Sequence, residues 1–204
     1  MTTNSMANHW WWRPGWREGR SFYTWHLTFR DAPAVHHLAD SYRHALGDVP
    51  GLDLVPDQWL HLTLQGLGFT DEVADKDRDA VVDAATARLR SSGAFELALH
   101  RPEITPEAIR WEAQPAEPVS AVRDAVRAAI GDVWSQVPEK PDGFAPHVTI
   151  AYSNSDGPDG PARKALDSVD AAPVLARVRA VELIVLNRDK RMYQWETLAR
   201  VPLD

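Results

Sequence analysis

The chain has 204 residues, enough to bury a full core without covalent staples, and no cysteine, which excludes disulfides, Cys-ligated zinc, iron–sulfur clusters and a thiol nucleophile. Its 22 Lys and Arg against 29 Asp and Glu give a net charge of −7, which disfavours nonspecific binding along a nucleic-acid duplex. Eight histidines and nine tryptophans are the unusual inventory that remains.

In chain order, Met1–Asn8 is polar and lacks the apolar stretch of a secretory leader. No window approaches eighteen apolar residues, so a cytoplasmic location with no membrane partner is expected. Residues 1–20 form a Trp- and Arg-rich arm, HWWWRPGWREGR from His9 on, broken by Pro14 and Gly15. Its indoles are expected to pack onto the domain or to act as a base-stacking flap. Residues 21–204 are then one domain. Ser21–Arg30 alternates as a strand, and Asp31–Leu46 carries a helical stripe of Val35, Leu38, Ala39, Tyr42 and Leu46, ended by Gly47. Trp59–Phe69 reads as a strand and Thr70–Arg90 as a charged helix, with Asp71 and Glu72 favouring its N-terminal dipole. Ala94–His100 and Ala108–Ala113 are expected strands, and Pro118–Val137 a helix with Val119, Val122, Val126, Ile130 and Val133 on one face. Pro146–Tyr152 is a strand, Ser153–Pro161 a loop and Ala162–Val169 a short helix. Arg177–Asn187 and Met192–Val201 make a hairpin around Arg188-Asp189-Lys190. Short turns between several strands point to an α+β fold with mainly antiparallel sheet.

Three histidines occur in the same triplet: His26-Leu27-Thr28, His61-Leu62-Thr63 and His147-Val148-Thr149. Each lies in an expected strand, has an aliphatic middle residue and is followed by an apolar one. Residues i and i+2 share a strand face, so each triplet presents an imidazole and a hydroxyl on one side and packs its aliphatic residues on the other. Two such strands facing one groove would place two imidazoles about one substrate atom. One imidazole then serves as base and the other as acid, because this side chain titrates near neutrality. The threonine hydroxyls stabilise charge on non-bridging oxygens. That set suits metal-free opening of a phosphodiester, above all a strained 2′,3′-cyclic phosphate. Three imidazoles could instead hold catalytic zinc, although no helical His-Glu-x-x-His is present and the threonines would go unexplained.

At these residues the sequence resembles the two-histidine (2H) phosphoesterases, the superfamily of RNA 2′,3′-cyclic phosphodiesterases and 2′,5′-RNA ligase-like proteins. His61-Leu-Thr-Leu-Gln-Gly-Leu-Gly68 looks like the first motif with its Leu-Gly tail, and Phe144-Ala-Pro-His147-Val-Thr-Ile-Ala151 like the second with its preceding Pro. The resemblance implies two pseudo-symmetric lobes of antiparallel sheet with outer helices and a catalytic groove between them. It implies metal-free, cofactor-free catalysis with His61 and His147 as the acid–base pair, Thr63 and Thr149 on the phosphate, and a lean towards His61 as the acid. The implied partner is an RNA terminus or nucleotide bearing a cyclic phosphate, with no obligatory protein partner. Tyr152 stands where many relatives carry an Arg, so a phosphate-binding charge is absent there or supplied elsewhere.

The remaining substrate-binding candidates are His26 and Thr28 as ribose or phosphate contacts, and Gln65 as a hydrogen-bonding group on the Thr63 face. Tyr152 joins them at the departed position, Arg188 at a basic hairpin tip with Lys190 and Arg191, and Trp195, which shares a face with Tyr193, as a base-stacking surface. An alternative from another class is a catalytically idle module that binds RNA ends or nucleotides. A zinc-dependent hydrolase is a third reading.

Overall fold

The computed structural model describes residues 5–203; Met1–Asn4 of the arm and Asp204 lie outside the described residues. The chain runs β1 (Ser5–Met6), β2 (Phe22–Thr28), α1 (Pro33–Leu46), β3 (Leu52–Leu54), β4 (His61–Phe69), α2 (Asp75–Leu89), β5 (Phe95–Leu99), β6 (Glu103–Ile104), β7 (Ala108–Gln114), α3 (Ala116–Val133), β8 (His147–Ser153), β9 (Gly157–Pro158), α4 (Gly160–Asp167), β10 (Val174–Val178), β11 (Ala180–Asn187) and β12 (Gln194–Pro202). The strands that alternation anticipates make two antiparallel sheets. One has the order β12-β11-β2-β4, and the other β10-β5-β7-β8-β3 with β6 alongside β7.

The helices exchange lobes. α1 leaves β2 of the first sheet yet packs on β3, β10 and α4 beside the second. α3 leaves β7 of the second sheet yet packs on α2 and β4 beside the first. Each lobe therefore has a sheet and two helices, one of them contributed through the other lobe. Most buried apolar residues of both lobes join in one cluster, which includes Trp25, Leu62, Trp111 and Val148, and Ile184, Leu186 and Trp195 form a second, smaller one. The α1 stripe of Val35, Leu38, Ala39, Tyr42 and Leu46 is wholly buried, as its spacing requires. Tyr42 meets Trp111 edge-on at 6.1 Å, which seats α1 on the second sheet.

Some local expectations shift. α2 begins at Asp75 rather than Thr70, because residues 70–74 turn off Phe69 and the carboxylates of Asp71 and Glu72 are taken by Arg20 of the arm. β3 and β6 are too short for alternation to reveal. β9 lies inside the expected 153–161 loop and exists because β1 of the arm pairs with it. The described part of the arm lies along the domain. Ala7 N–H donates to the Pro106 carbonyl at 2.6 Å and His9 N–H to that of Ser153 at 2.8 Å. The indole N–H groups of Trp10 and Trp11 donate to Asp53 at 2.8 Å and Glu107 at 3.0 Å. Thus the arm is sewn over one end of the cleft between the sheets.

Candidate active site

His61 is the first residue of β4 and His147 the first of β8, and these two strands meet where the lobes face each other. Each ring is held in the same way. His61 Nδ1 lies 2.8 Å from the carbonyl of Trp59, and His147 Nδ1 lies 2.8 Å from that of Ala145, in both cases two residues back. A carbonyl only accepts, so Nδ1 must carry the hydrogen and donate it. This assigns the tautomer and leaves Nε2 of both rings free for proton transfer. Thr63 and Thr149 follow two residues on, as the strand period demands. Both histidines and both threonines line one cavity of about 430 Å³. Leu62, Leu64, Val148 and Ile150 point the other way and are buried.

The neighbouring strands continue this mirrored arrangement. In register, His26 of β2 stands opposite Thr63, and Arg110 of β7 stands opposite Thr149. His26 has no exposed surface, and its ring stacks on His61 with centroids 4.4 Å apart and planes 8° apart. Its Nε2 lies 3.2 Å from Thr63 Oγ1, while Nδ1 has no partner among the described residues. An unmet lone pair is tolerated in a core better than an unmet N–H. We therefore assign the hydrogen to Nε2, which donates to Thr63 and leaves the threonine hydroxyl hydrogen for a ligand. Trp195 closes the rear edge-on to both rings, at 5.5 Å from His26 and 5.1 Å from His61.

Burial dominates the electrostatics. It pushes His61 down to about 4, against the opposing pull of the Trp59 carbonyl, and lowers His147 as well. His26 is held well below the ordinary imidazole range by the same desolvation and by His61 beside it. His9 of the arm also reaches the cavity and is lowered to about 4 by burial and by Arg13. Its Nδ1 donates to Glu107 at 3.1 Å and its Nε2 accepts from the Tyr193 hydroxyl at 2.9 Å. Tyr152 and Tyr193 are raised by burial and so keep their protons.

Several residues suggested from sequence stand elsewhere. His26 belongs to the wall of the cavity, but its ring is fully buried against Thr63 and His61, so it backs these groups rather than offering exposed surface. Thr28 donates to Glu182 at 3.1 Å and faces a different cleft. Gln65 is fully buried; it donates to the Gly66 and Pro138 carbonyls and accepts from Arg127, so no group is left for substrate. Arg188 is not a solvated tip. It is 3% exposed and donates to the carbonyls of His9 and Trp11, both at 3.2 Å, while Lys190 and Arg191 stay exposed. Trp195 forms the wall behind the histidines rather than an open stacking face. Tyr152 does line the cavity, with His9 stacked on it at 4.5 Å.

The sequence reading passed over Arg110, His9, Trp16, Glu107 and Glu139, all of which line the cavity. For Arg110 the signal was available, since alternation against Ile109, Trp111 and Ala113 puts it on the polar face of its strand. For the arm, composition had marked the indoles for packing or base stacking, but which of its residues enter the cavity depends on where the arm lies.

Among the described residues no group of three His, Asp or Glu side chains is placed to hold a metal ion, so the zinc reading finds no donor set. No helix among them is long and apolar enough to cross a membrane. With this geometry in view, the family model of the 2′-5′ RNA ligase superfamily matches residues 29–190. The chain belongs to that superfamily. No curated protein matches it in sequence. Among solved structures, the Thermus thermophilus protein TT0787 superposes with a TM-score of 0.68 at 20% identity, covering 90% of this chain and 97% of that one. Escherichia coli LigT complexed with 3′-AMP gives 0.64 at 17% identity, covering 90% and 98%. The Agrobacterium tumefaciens protein ATU0111, of unknown function, gives 0.61 at 19% identity, covering 91% and 86%. These likenesses are of fold, and they agree with the bilobal α+β architecture of this superfamily member. The matched span omits the arm, Phe22 and His26, so the end of the cavity built by those residues lies outside what the family model matches.

Proposed function

We propose that the protein is a metal-independent phosphodiesterase that opens 2′,3′-cyclic phosphates of nucleotides or RNA ends. The observation that carries this is the paired clamp on His61 and His147: two imidazoles, each fixed through Nδ1, present two free Nε2 atoms to one cavity. The cavity volume, about 430 Å³, falls in the range of small-ligand sites, about 300–1,000 Å³. Crystal structures of E. coli LigT with 3′-AMP, ATP and NADP+ make a nucleotide a reasonable occupant of this fold.

In the proposed reaction, water attacks the cyclic phosphorus and gives its proton to a neutral Nε2. The P–O bond to one ribose oxygen breaks, and that oxygen takes a proton from the other Nε2. Thr63 and Thr149 donate to the non-bridging oxygens. Arg110, held at 2.8 Å by Glu103, supplies the cation that position 152 lacks. Burial favours His147 as the acid and His61 as the base, the reverse of the lean from sequence. His61 is 9% exposed and stacked on His26, whereas His147 is more open and keeps a proton at lower cost. With the 5′-hydroxyl of a second strand in place of water, the same steps form a P–O bond to that strand while one ring P–O bond breaks and its ribose oxygen takes the proton, which is the ligation direction. In this reading residues 21–204 form the bilobal catalytic unit, residues 1–20 form the arm, and the described part of the arm closes one end of the groove.

The test is turnover of 2′,3′-cyclic AMP and of an oligonucleotide ending in a cyclic phosphate, with EDTA present, by the natural protein, His61→Ala and His147→Ala. Each substitution is expected to lower kcat by about 10²–10⁴-fold. Undiminished turnover in either variant would sink the acid–base pair. Loss of natural activity with EDTA would favour metal, and tight binding without turnover would favour the idle module.

A further inference from the structure

Glu139 plays no part in that chemistry, yet the fold holds it firmly. Its backbone sits in the left-handed region at φ 61°, which a side chain with a Cβ seldom adopts. The surrounding carbonyls are each tied down. Pro138 accepts from Gln65 at 2.8 Å and from Arg127 at 3.1 Å, and Glu139 itself accepts from Arg127 at 3.2 Å. Lys140 and Pro141 accept from Arg123 at 3.0 Å and 2.8 Å, and Arg123 is 5% exposed. A strained residue over-determined by its surroundings is a pointer to function.

The result of this anchoring is a carboxylate in the cavity wall. Glu139 Oε1 accepts the Gly66 N–H at 3.1 Å, and Oε2 has no hydrogen-bond partner among the described residues. A Cβ on Gly66 would stand 2.5 Å from that Oε1 and 3.0 Å from the Phe22 ring, so the glycine is what lets both close in. Phe22 and Trp16 of the arm, with ring centroids 5.7 Å apart, make the aromatic side of the same cavity.

A carboxylate repels phosphate, so this end of the cavity does not hold the reacting group. It suits a flat ring that stacks on aromatic surface and offers N–H donors at its edge. Guanine offers two on adjacent atoms, N1–H and the exocyclic amine, which match the two oxygens of a carboxylate. Adenine and cytosine offer one amine beside an acceptor. Uracil offers one N–H between two carbonyls, which a carboxylate repels. We propose that Glu139, with Trp16 and Phe22 as stacking surface, reads the base of the bound nucleotide and selects guanine. The inference deepens the phosphodiester reading of this cavity and rests on it for placing the phosphate at His61 and His147.

The test separates binding from turnover. Affinities of guanosine, adenosine, cytidine and uridine 3′-monophosphates are measured by calorimetry for the natural protein, Glu139→Gln and Gly66→Ala, alongside turnover of the four 2′,3′-cyclic nucleotides. Glu139→Gln keeps the acceptor for the Gly66 N–H, so the loop is expected to hold. The natural protein is expected to prefer guanine over uracil by about 10- to 100-fold, the range for a bidentate contact to a base edge. Glu139→Gln is expected to remove most of that preference without weakening uridine binding, and Gly66→Ala to reduce it by displacing the carboxylate. Guanine preference in binding with no turnover of any substrate would support base reading and overturn the cyclic phosphodiesterase. Equal binding of all four bases, or a preference unchanged in Glu139→Gln, would overturn base reading whatever the turnover.

Discussion

At the scale of single residues, His61 and His147 are defined less by their own chemistry than by a carbonyl two positions earlier. The carbonyl fixes which nitrogen is free, and burial sets how readily that nitrogen charges. The pH dependence of the proposed reaction, with His61 as base and His147 as acid, follows. A base works when neutral, so activity rises as pH climbs through the His61 value of about 4. An acid works when protonated, so activity falls as pH climbs through the His147 value, which burial holds below the ordinary 6.5. We therefore expect a bell-shaped kcat/KM profile with its maximum between about pH 4 and 6.5, and a single sigmoid would contradict the paired mechanism. The same shifts act on folding. The depressed histidines take up protons more readily in the unfolded chain, so their contribution to stability is complete above 6.5 and is lost as pH falls, towards 4 for His61 and His9. His61 alone accounts for about 3 kcal/mol at the lower end. Urea titrations at pH 7 and pH 4.5 check this, and His26→Gln is expected to flatten the pH slope by removing one buried titrating ring. Thr149→Val keeps the shape but not the donor, and is expected to lower kcat by about 10²-fold with the fold intact, read by steady-state kinetics and thermal melting.

At the scale of elements, strand alternation was the more dependable guide. Leu62 and Leu64 against His61 and Thr63 could be placed on opposite faces of β4 from spacing alone, and the buried stripe of α1 was equally plain. Helix α2 was less legible because Asp71 and Glu72, read as favouring its N-terminal dipole, bond Arg20 from 51 and 52 residues earlier. Hairpin Arg188 was misread for the same kind of reason: a charged residue in a tight turn looks solvated until another segment covers it. Here the arm covers it, and its guanidinium holds the arm by two carbonyls. Arg188→Ala is expected to lower the free energy of local arm opening by about 1–3 kcal/mol while leaving most of the domain unchanged. Hydrogen exchange at the amides of Ala7 and His9, which donate to Pro106 and Ser153, measures that opening. Protection unchanged in the variant would show that Arg188 does not fasten the arm.

At the scale of the whole molecule, two lobes joined by exchanged helices face each other across the cleft that holds His61 and His147, and the described part of the arm closes one end of it. A net charge of −7 and a cavity of about 430 Å³ suit a single nucleotide or a chain end better than a long tract. Binding of oligonucleotides ending in a cyclic phosphate is accordingly expected to gain little between 2 and 20 nucleotides, roughly. Its affinity is expected to fall by less than about tenfold between 50 and 200 mM salt, as for one or two neutralised phosphates. A steep salt slope that grows with length would instead mean a phosphate track outside the cleft.

The sequence by itself determined the two His-x-Thr strands, their faces and the α+β class, because strand and helix periods are local and the motif residues sit within them. Only the tertiary structure decided which of the remaining residues enter the cleft. Thr28, Gln65, Arg188 and Trp195 leave it for partners far along the chain, and His9, Trp16, Arg110 and Glu139 enter it. A side chain's burial and bonding depend on segments that periodicity does not bring together, and in this protein the N-terminal arm is one such segment.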